Sequence, residues 1–255
     1  MSPDEKIKYA AKRSAGDAGS AKQPPAAAST AFSIVGPADV AVLALGVGVW
    51  LYVMLSFGVP LLSPPPAVSF VAVAAGVAPS QLLLYPLVWY NSKAFAKACK
   101  KRKWKPVPVF ARLVALGKVL QQVALLAWIA SLSGGSAAAL YAQVLAASPL
   151  QWAAFAALVT MGQVLNGSVY KAIGADGVYY GFKLGAPVPW STAFPFSAGF
   201  RHPQYVGGYC SQLGVFALFA SKATIAAGLV PLAGWWAALY VLNSVIEASD
   251  DNDAA

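Results

Sequence analysis

Along this chain the polar positions gather into a few segments, and the stretches between them are continuously apolar, rich in Ala, Leu and Val. Half-buried strands and lipid-facing barrels would alternate polar with apolar positions, so these unbroken runs predict helices. Six runs approach the roughly 20 residues that carry a helix across a hydrocarbon layer about 30 Å thick. They cover 38–57, 67–91, 107–132, 149–165, 205–221 and 225–246. Each is expected to be helical because backbone N–H and C=O groups in lipid must bond within their own segment. The predicted fold class is an all-α integral membrane protein of about six transmembrane helices.

Composition supports that class: the 255 residues are 58% hydrophobic and 11% charged, with a mean hydropathy of +0.61. A single soluble core would leave much of that apolar surface in water. Charge adds orientation. Of the 18 Lys and Arg, five lie in the first 32 residues, seven between Lys93 and Lys105, and Lys171, Lys183 and Arg201 between the fourth and fifth runs. With six passes these regions share one side. The opposite loops, about 58–66, 133–148 and the turn at Lys222, hold one charge among them, as the positive-inside rule requires, so both termini are expected in the cytosol. The net charge of +9 therefore needs no nucleic-acid partner, and Lys-Lys-Arg-Lys-Trp-Lys beside a span suits an anionic lipid surface.

Residues 1–32, rich in Ala, Ser and Lys, carry no apolar period and read as a disordered cytosolic tail. Their charged region is too long for a cleaved signal peptide, and Asp4, Glu5 and Asp17 argue against a transit peptide. Residues 33–250 form the expected single membrane domain and 251–255 an acidic tail. Two cysteines, Cys99 and Cys210, are too few for a disulfide framework, and with one histidine in the chain no metal site is expected.

Chemistry is expected between 166 and 204 and at the ends of the last two runs. Gly167, Gly174, Gly177 and Gly181 are 7, 3 and 4 apart, which on one helix places them in a stripe of roughly 80°. Such a stripe receives either a neighbouring helix or a bulky ligand. Arg201-His202-Pro203-Gln204-Tyr205-Val206-Gly207-Gly208 opens the fifth run, Pro203 being suited to a first helical turn. Taken alone, it also fits an interfacial helix start with a snorkelling arginine. Glu247 ends the sixth run, where a carboxylate opposes the helix dipole and local helix stability does not explain it. Lys118 lies inside the third run beside Gln121 and Gln122, either snorkelling or meeting a lipid phosphate.

Three ordered segments carry a resemblance: Gly174-Ala-Asp-Gly177-Val-Tyr-Tyr-Gly181, Val188-Pro-Trp-Ser-Thr-Ala-Phe-Pro195-Phe, and Pro203-Gln-Tyr205-Val-Gly207 followed by a last span ending in Glu247. Over about residues 85 to 250 the chain resembles the membrane phospholipid N-methyltransferases, especially the phosphatidyl-N-methylethanolamine N-methyltransferases of plants, algae and animals. The resemblance implies S-adenosylmethionine as methyl donor, no metal, and the amine of a methylated phosphatidylethanolamine as acceptor. It also implies phosphatidylcholine as product and the endoplasmic reticulum membrane as the place of reaction.

Carried over residue by residue, it assigns the cofactor to Arg201, His202, Pro203, Tyr205, Gly207 and Glu247, with Gly162 lining the same cleft. Lys118, Tyr180 and Trp190 would face the lipid headgroup, and no general base is assigned. Two departures stand out: Glu247-Ala248 occupies the place of the paired glutamates of animal members, and Ala156, Ala157 and Gly162 stand where those members carry glycine-x-glycine. Arg201-His202 also matches the wider superfamily that includes isoprenylcysteine carboxyl methyltransferases. Prenylcysteine carboxyl methylation and a non-catalytic, lipid-organising role are therefore the two alternative readings.

Overall fold

Each apolar run folds largely as helix, and the second and fourth runs are bent at Pro79 and Gly174. The computed structural model describes residues 35–62 and 67–249, so the expected tails at 1–32 and 251–255 lie outside the described residues. In chain order the helices are α1 (Pro37–Leu55), α2 (Ala67–Val77), a π-helical turn (Ser80–Leu84), α3 (Tyr85–Tyr90), α4 (Ser92–Lys101), α5 (Pro106–Leu132) and α6 (Ala137–Leu145). They continue with α7 (Pro149–Val178), α8 (Gly181–Leu184), α9 (Pro203–Leu218), α10 (Lys222–Ala226) and α11 (Leu229–Ser249). No strand occurs among the described residues. Proline stands in the first turn of α1, α5, α7 and α9, where its missing N–H leaves no intrahelical bond unmade.

Among the described residues four helical stretches are long and apolar enough to cross a membrane: Pro37–Leu55, Pro106–Leu132, Pro149–Leu184 and Leu229–Glu247. The second expected run is broken, its halves Val68–Val77 and Ser80–Tyr90 meeting at 43°, so that together they make at most a fifth crossing. Pro79 and the π-helical turn account for the bend. The carbonyls freed there find donors on other helices: Trp235 Nε1 donates to Ala74 O at 3.0 Å and Gln121 Nε2 to Val77 O at 2.5 Å. The fourth run, expected to end at 165, continues to Val178 across a kink at Gly174, because nothing before that residue interrupts the helix.

The fifth run is a correction of another kind. Helix α9 has 16 residues, a rise of about 24 Å that falls short of a full hydrocarbon layer. It is the middle of the bundle, with Val206, Cys210, Leu213, Phe216 and Ala217 all buried, and it packs on α1, α7 and α11. Its end lies deep, so its last carbonyls need internal partners. Gln151 supplies them, Nε2 donating to Ala217 O, Leu218 O and Ala220 O at 3.0, 3.1 and 3.0 Å.

The closest helix crossing is α7 on α9. A methyl group at Gly207 would lie 2.7 Å from the Gly162 carbonyl oxygen, and one at Gly162 would run into Ser211 and the Gly207 carbonyl. Gly214 continues the seam against Val159 and Phe155. Small residues here let the two backbones touch, which supplies dispersion where lipid offers no hydrophobic drive.

The stripe expected of Gly167, Gly174, Gly177 and Gly181 does not form. Gly174 sits at φ 66° and ψ 178°, outside helical space, so the α7 register is reset there and the 100° periodicity does not carry across it. Around Gly167 a methyl group would meet nothing within 4 Å, whereas Gly181 is pressed against the Asp176 carbonyl.

Candidate functional site

Six apolar segments each bring one end to a common layer, the one that carries the cations of α4. The start of α1 meets the approach to α9 through Asp39 and Arg201, and the start of α5 meets the end of α7 through Phe110 and Tyr180. The end of α3 reaches the same point through Trp89, and the first turn of α9 meets the last turn of α11 through Tyr205 and Glu247.

Glu247 is the centre of this layer. Tyr180 Oη donates to its Oε1 at 2.6 Å, and Tyr205 Oη donates to the same oxygen. Three residues far apart in sequence thus converge on one carboxylate oxygen. The phenols offset the unfavourable placement of a negative group at a helix C-terminus, since hydrogen bonds to a charged acceptor are worth about 1.5–3 kcal/mol each.

Tyr180 is held in an unusual conformation. It lies at φ 56° and ψ 32°, left-handed for a non-glycine residue, between the end of α7 and the start of α8. Such a conformation costs on the order of 1–3 kcal/mol and persists only where packing enforces it. Here the ring stacks on Phe110 at 5.2 Å and 26°, and meets Trp89 edge-on at 4.8 Å and Tyr85 at 6.1 Å. Aromatic faces continue on the other side of the carboxylate, Tyr205 lying 5.6 Å from Tyr240 and 5.8 Å from His202. A carboxylate enclosed by ring faces is an environment for a cation, which both charge and ring quadrupoles attract.

The Arg201-His202 turn is anchored by a residue that sequence reasoning passed over. Asp39, fully buried in the first turn of α1, accepts from Gly36 N at 2.8 Å, Arg201 N at 2.8 Å and His202 N at 3.4 Å, all on Oδ2. One carboxylate therefore caps α1 and fixes the chain entering α9. An aspartate inside an apolar run was the available signal. Asp39→Ala is expected to lower both protein abundance and turnover, whereas Asp39→Asn, which keeps an acceptor, retains most of the abundance; quantitative blotting beside a turnover assay checks this.

Of the residues expected in a site, the structure brings Tyr180, Tyr205 and Glu247 together and stacks His202 on Tyr205. Pro203 is buried as the first residue of α9, and Arg201 is exposed, its backbone tied to Asp39. Gly162 and Gly207 meet each other in the α7–α9 seam, so helix packing by itself accounts for both glycines. Trp190 packs beside Phe182 at 5.7 Å, next to the hydrophobic cluster of Val169, Ile173, Val178 and Val188. Lys118 is exposed on α5, eight residues or about 12 Å along the helix from Phe110, and stands apart from the Glu247 cluster. Asp39, Trp89, Phe110, Tyr85 and Tyr240 complete the layer without having been expected there. Among the described residues, no group of three or more His, Cys, Asp or Glu gathers.

Comparison with known proteins bears on the segment that holds Tyr180, Tyr205 and Glu247. The family model described as Phospholipid methyltransferase matches residues 150–247, from the start of α7 to Glu247 itself. The chain is 31% identical over 176 residues to the Phosphatidyl-N-methylethanolamine N-methyltransferase of Arabidopsis thaliana, a match covering 68% of this chain and 91% of that relative. No solved structure matches it. With that identity over nearly the whole length of the relative, and the family match ending on the carboxylate at the centre of the layer, the chain belongs to the phospholipid methyltransferase family.

Proposed function

We propose that this membrane-embedded enzyme transfers methyl groups from S-adenosylmethionine to the amine of phosphatidyl-N-methylethanolamine, and of its dimethyl form, to make phosphatidylcholine at the endoplasmic reticulum. The observation that carries the proposal is the Glu247 carboxylate, bonded by Tyr180 and Tyr205 and walled by aromatic rings at the ends of the helices. The bound donor supplies a methyl group on a positively charged sulfur. A carboxylate and ring faces fit that charge, and the residues that would hold it are Glu247, Tyr205 and the His202-Pro203 turn.

The chemistry asked of the protein is mainly positioning. The acceptor ammonium first loses its proton to water; the lone pair then forms the N–CH3 bond as the S–CH3 bond breaks, leaving a methylated ammonium and a neutral thioether. Low polarity around Tyr85, Phe110 and Tyr180 favours the neutral amine over ammonium, which supports attack. Trp89 already holds a cation, the Lys183 ammonium lying 3.9 Å from its ring centre, which supports an aromatic layer that accepts the positive charge the headgroup gains. Lys118 and Trp190, set apart from Glu247, fit lipid positioning better than contact with the reacting nitrogen.

The deciding experiment uses membranes containing the protein, S-adenosylmethionine labelled in its methyl group, and three acceptors in parallel: monomethylated and dimethylated phosphatidylethanolamine, and a prenylcysteine. Label is expected in both phospholipids and absent from the prenylcysteine. Label in the prenylcysteine alone would transfer the assignment to carboxyl methylation, and no label in any acceptor would leave a lipid-organising protein.

A further inference from the structure

We infer that the outer face of α5 holds a second, non-substrate lipid, an anionic glycerophospholipid, in a groove of about 620 Å³ that begins at the turn between α4 and α5. Its rim is cationic, formed by Lys103 and Lys105; Val109 follows, then Arg112 about 10 Å along the helix from Lys105, and Leu113 and Leu116 beyond it are apolar. From Lys105 to Leu116 the helix descends about 16 Å. Arg112 has a side chain long enough to turn its guanidinium back toward that rim, leaving Leu113 and Leu116 to face an acyl chain below the phosphate.

Charge complementarity selects the occupant. The described residues contain three acids: Asp39 is buried under the α9 turn, Glu247 is bonded by two phenols, and Asp176 belongs to α7. None lines the groove, so three cations converge on a concave surface that no carboxylate of the described chain neutralises. A free phosphate would leave the apolar half bare, and a zwitterionic lipid would bring a second cation to the rim.

The rim is built into the fold. The end of α4 is closed by hydrogen bonds from Arg102 N and Trp104 N to Cys99 O at 2.9 and 3.0 Å, and from Lys103 N to Lys100 O at 2.9 Å. Lys103 takes a left-handed φ of 58° in that turn, and the Arg102 guanidinium lies 5.6 Å from the Trp104 ring centre. Trp104 is 54% exposed beside the rim, at the level where aromatic residues meet headgroups.

The groove is separate from the Glu247 layer yet shares a helix with it. Val107, Phe110 and Val114 turn the buried face of α5 toward Tyr180, while Val109, Arg112, Leu113 and Leu116 turn outward. A lipid seated there braces the segment of α5 against which Tyr180 is packed. This inference depends on the membrane placement of α5 and not on the reaction proposed for Glu247, so the two can fail independently.

The test is retention of native lipid by the full-length protein. The protein is purified in mild detergent from one membrane source, and co-purified phospholipids are quantified by mass spectrometry. The same protein is reconstituted in phosphatidylcholine vesicles with or without phosphatidic acid, and its thermal midpoint is read. The wild type is expected to retain anionic lipid and to melt higher with phosphatidic acid. Lys103→Ser combined with Lys105→Ser and Arg112→Gln should retain about tenfold less and lose the shift. Lys93→Ser combined with Lys97→Ser and Lys100→Ser removes as much charge from α4 outside the groove and should retain lipid as the wild type does. Equal losses in the two triple variants would reduce the effect to diffuse surface attraction and overturn the site. Failure of the wild type to retain anionic over zwitterionic lipid would also overturn it. If the groove variant does not fold, Arg112→Gln alone carries the test, with about threefold weaker retention expected and unchanged retention overturning the site.

Discussion

Glu247→Ala is expected to lower methyl transfer to monomethylated phosphatidylethanolamine by about 100-fold while leaving the protein in the membrane at near-normal abundance. The substitution removes the acceptor shared by Tyr180 and Tyr205 and the negative charge at the centre of the aromatic layer. The interaction of that charge with a positively charged donor, worth about 1.5–3 kcal/mol, accounts for the loss, since 2.7 kcal/mol is about 100-fold in rate. The conservative variant separates the two contributions. Glu247→Gln can still accept from both phenols but carries no charge, so it should keep the thermal stability of the wild type and raise the apparent KM for S-adenosylmethionine. Tyr180→Phe and Tyr205→Phe, made singly and together, should show less than additive losses, because both act through one oxygen. Near-wild-type turnover of Glu247→Ala in labelled-lipid assays would remove the carboxylate from the site.

The second large effect concerns the α7–α9 seam. Gly162→Ala is expected to destabilise the protein by about 2–3 kcal/mol, and a larger residue there to prevent assembly, because the added carbon meets Ser211 and the backbone of Gly207 instead of a movable side-chain tip. Gly207→Ala meets the Gly162 carbonyl at 2.7 Å and Leu165 at 3.1 Å, and should behave alike. Gly167→Ala is the contrast on the same helix: nothing lies within 4 Å of the added carbon, so it should be neutral or gain up to about 1 kcal/mol of helix propensity. Thermal unfolding in reconstituted membranes reads all three, and a Gly167→Ala variant as damaged as Gly162→Ala would refute this account of the seam. Since Gly162 and Gly207 act on packing, activity lost in their variants should track lost folded protein.

The helices were legible because helix in lipid is a local property. A long uncharged run fixes it wherever the rest of the chain lies, so all six runs proved helical. Their lengths were less legible, since Pro79 and its π-helical turn bend the second run, Gln151 satisfies carbonyls that let α9 end after 16 residues, and α7 runs on to Val178 through a kink at Gly174. Motif order pointed to Tyr205 and Glu247 individually. Asp39 stayed hidden because its partners, Arg201 and His202, are 162 and 163 residues away, and a single acid near the start of an apolar run looks like an interfacial group.

The amino-acid sequence by itself determined that this is a helical membrane protein, and its matched segments placed it in a methyltransferase family. These depend on hydropathy and on residues a few positions apart, which any conformation of the chain preserves. Only the tertiary structure decided that Glu247 meets Tyr180 and Tyr205, that Asp39 holds the α9 turn, and that two glycines read as ligand contacts face each other. Those pairings follow from how α7, α9 and α11 cross. Crossing is set by close backbone approach at Gly162 and Gly207 and by the register lost at Gly174, neither of which has a local period to read.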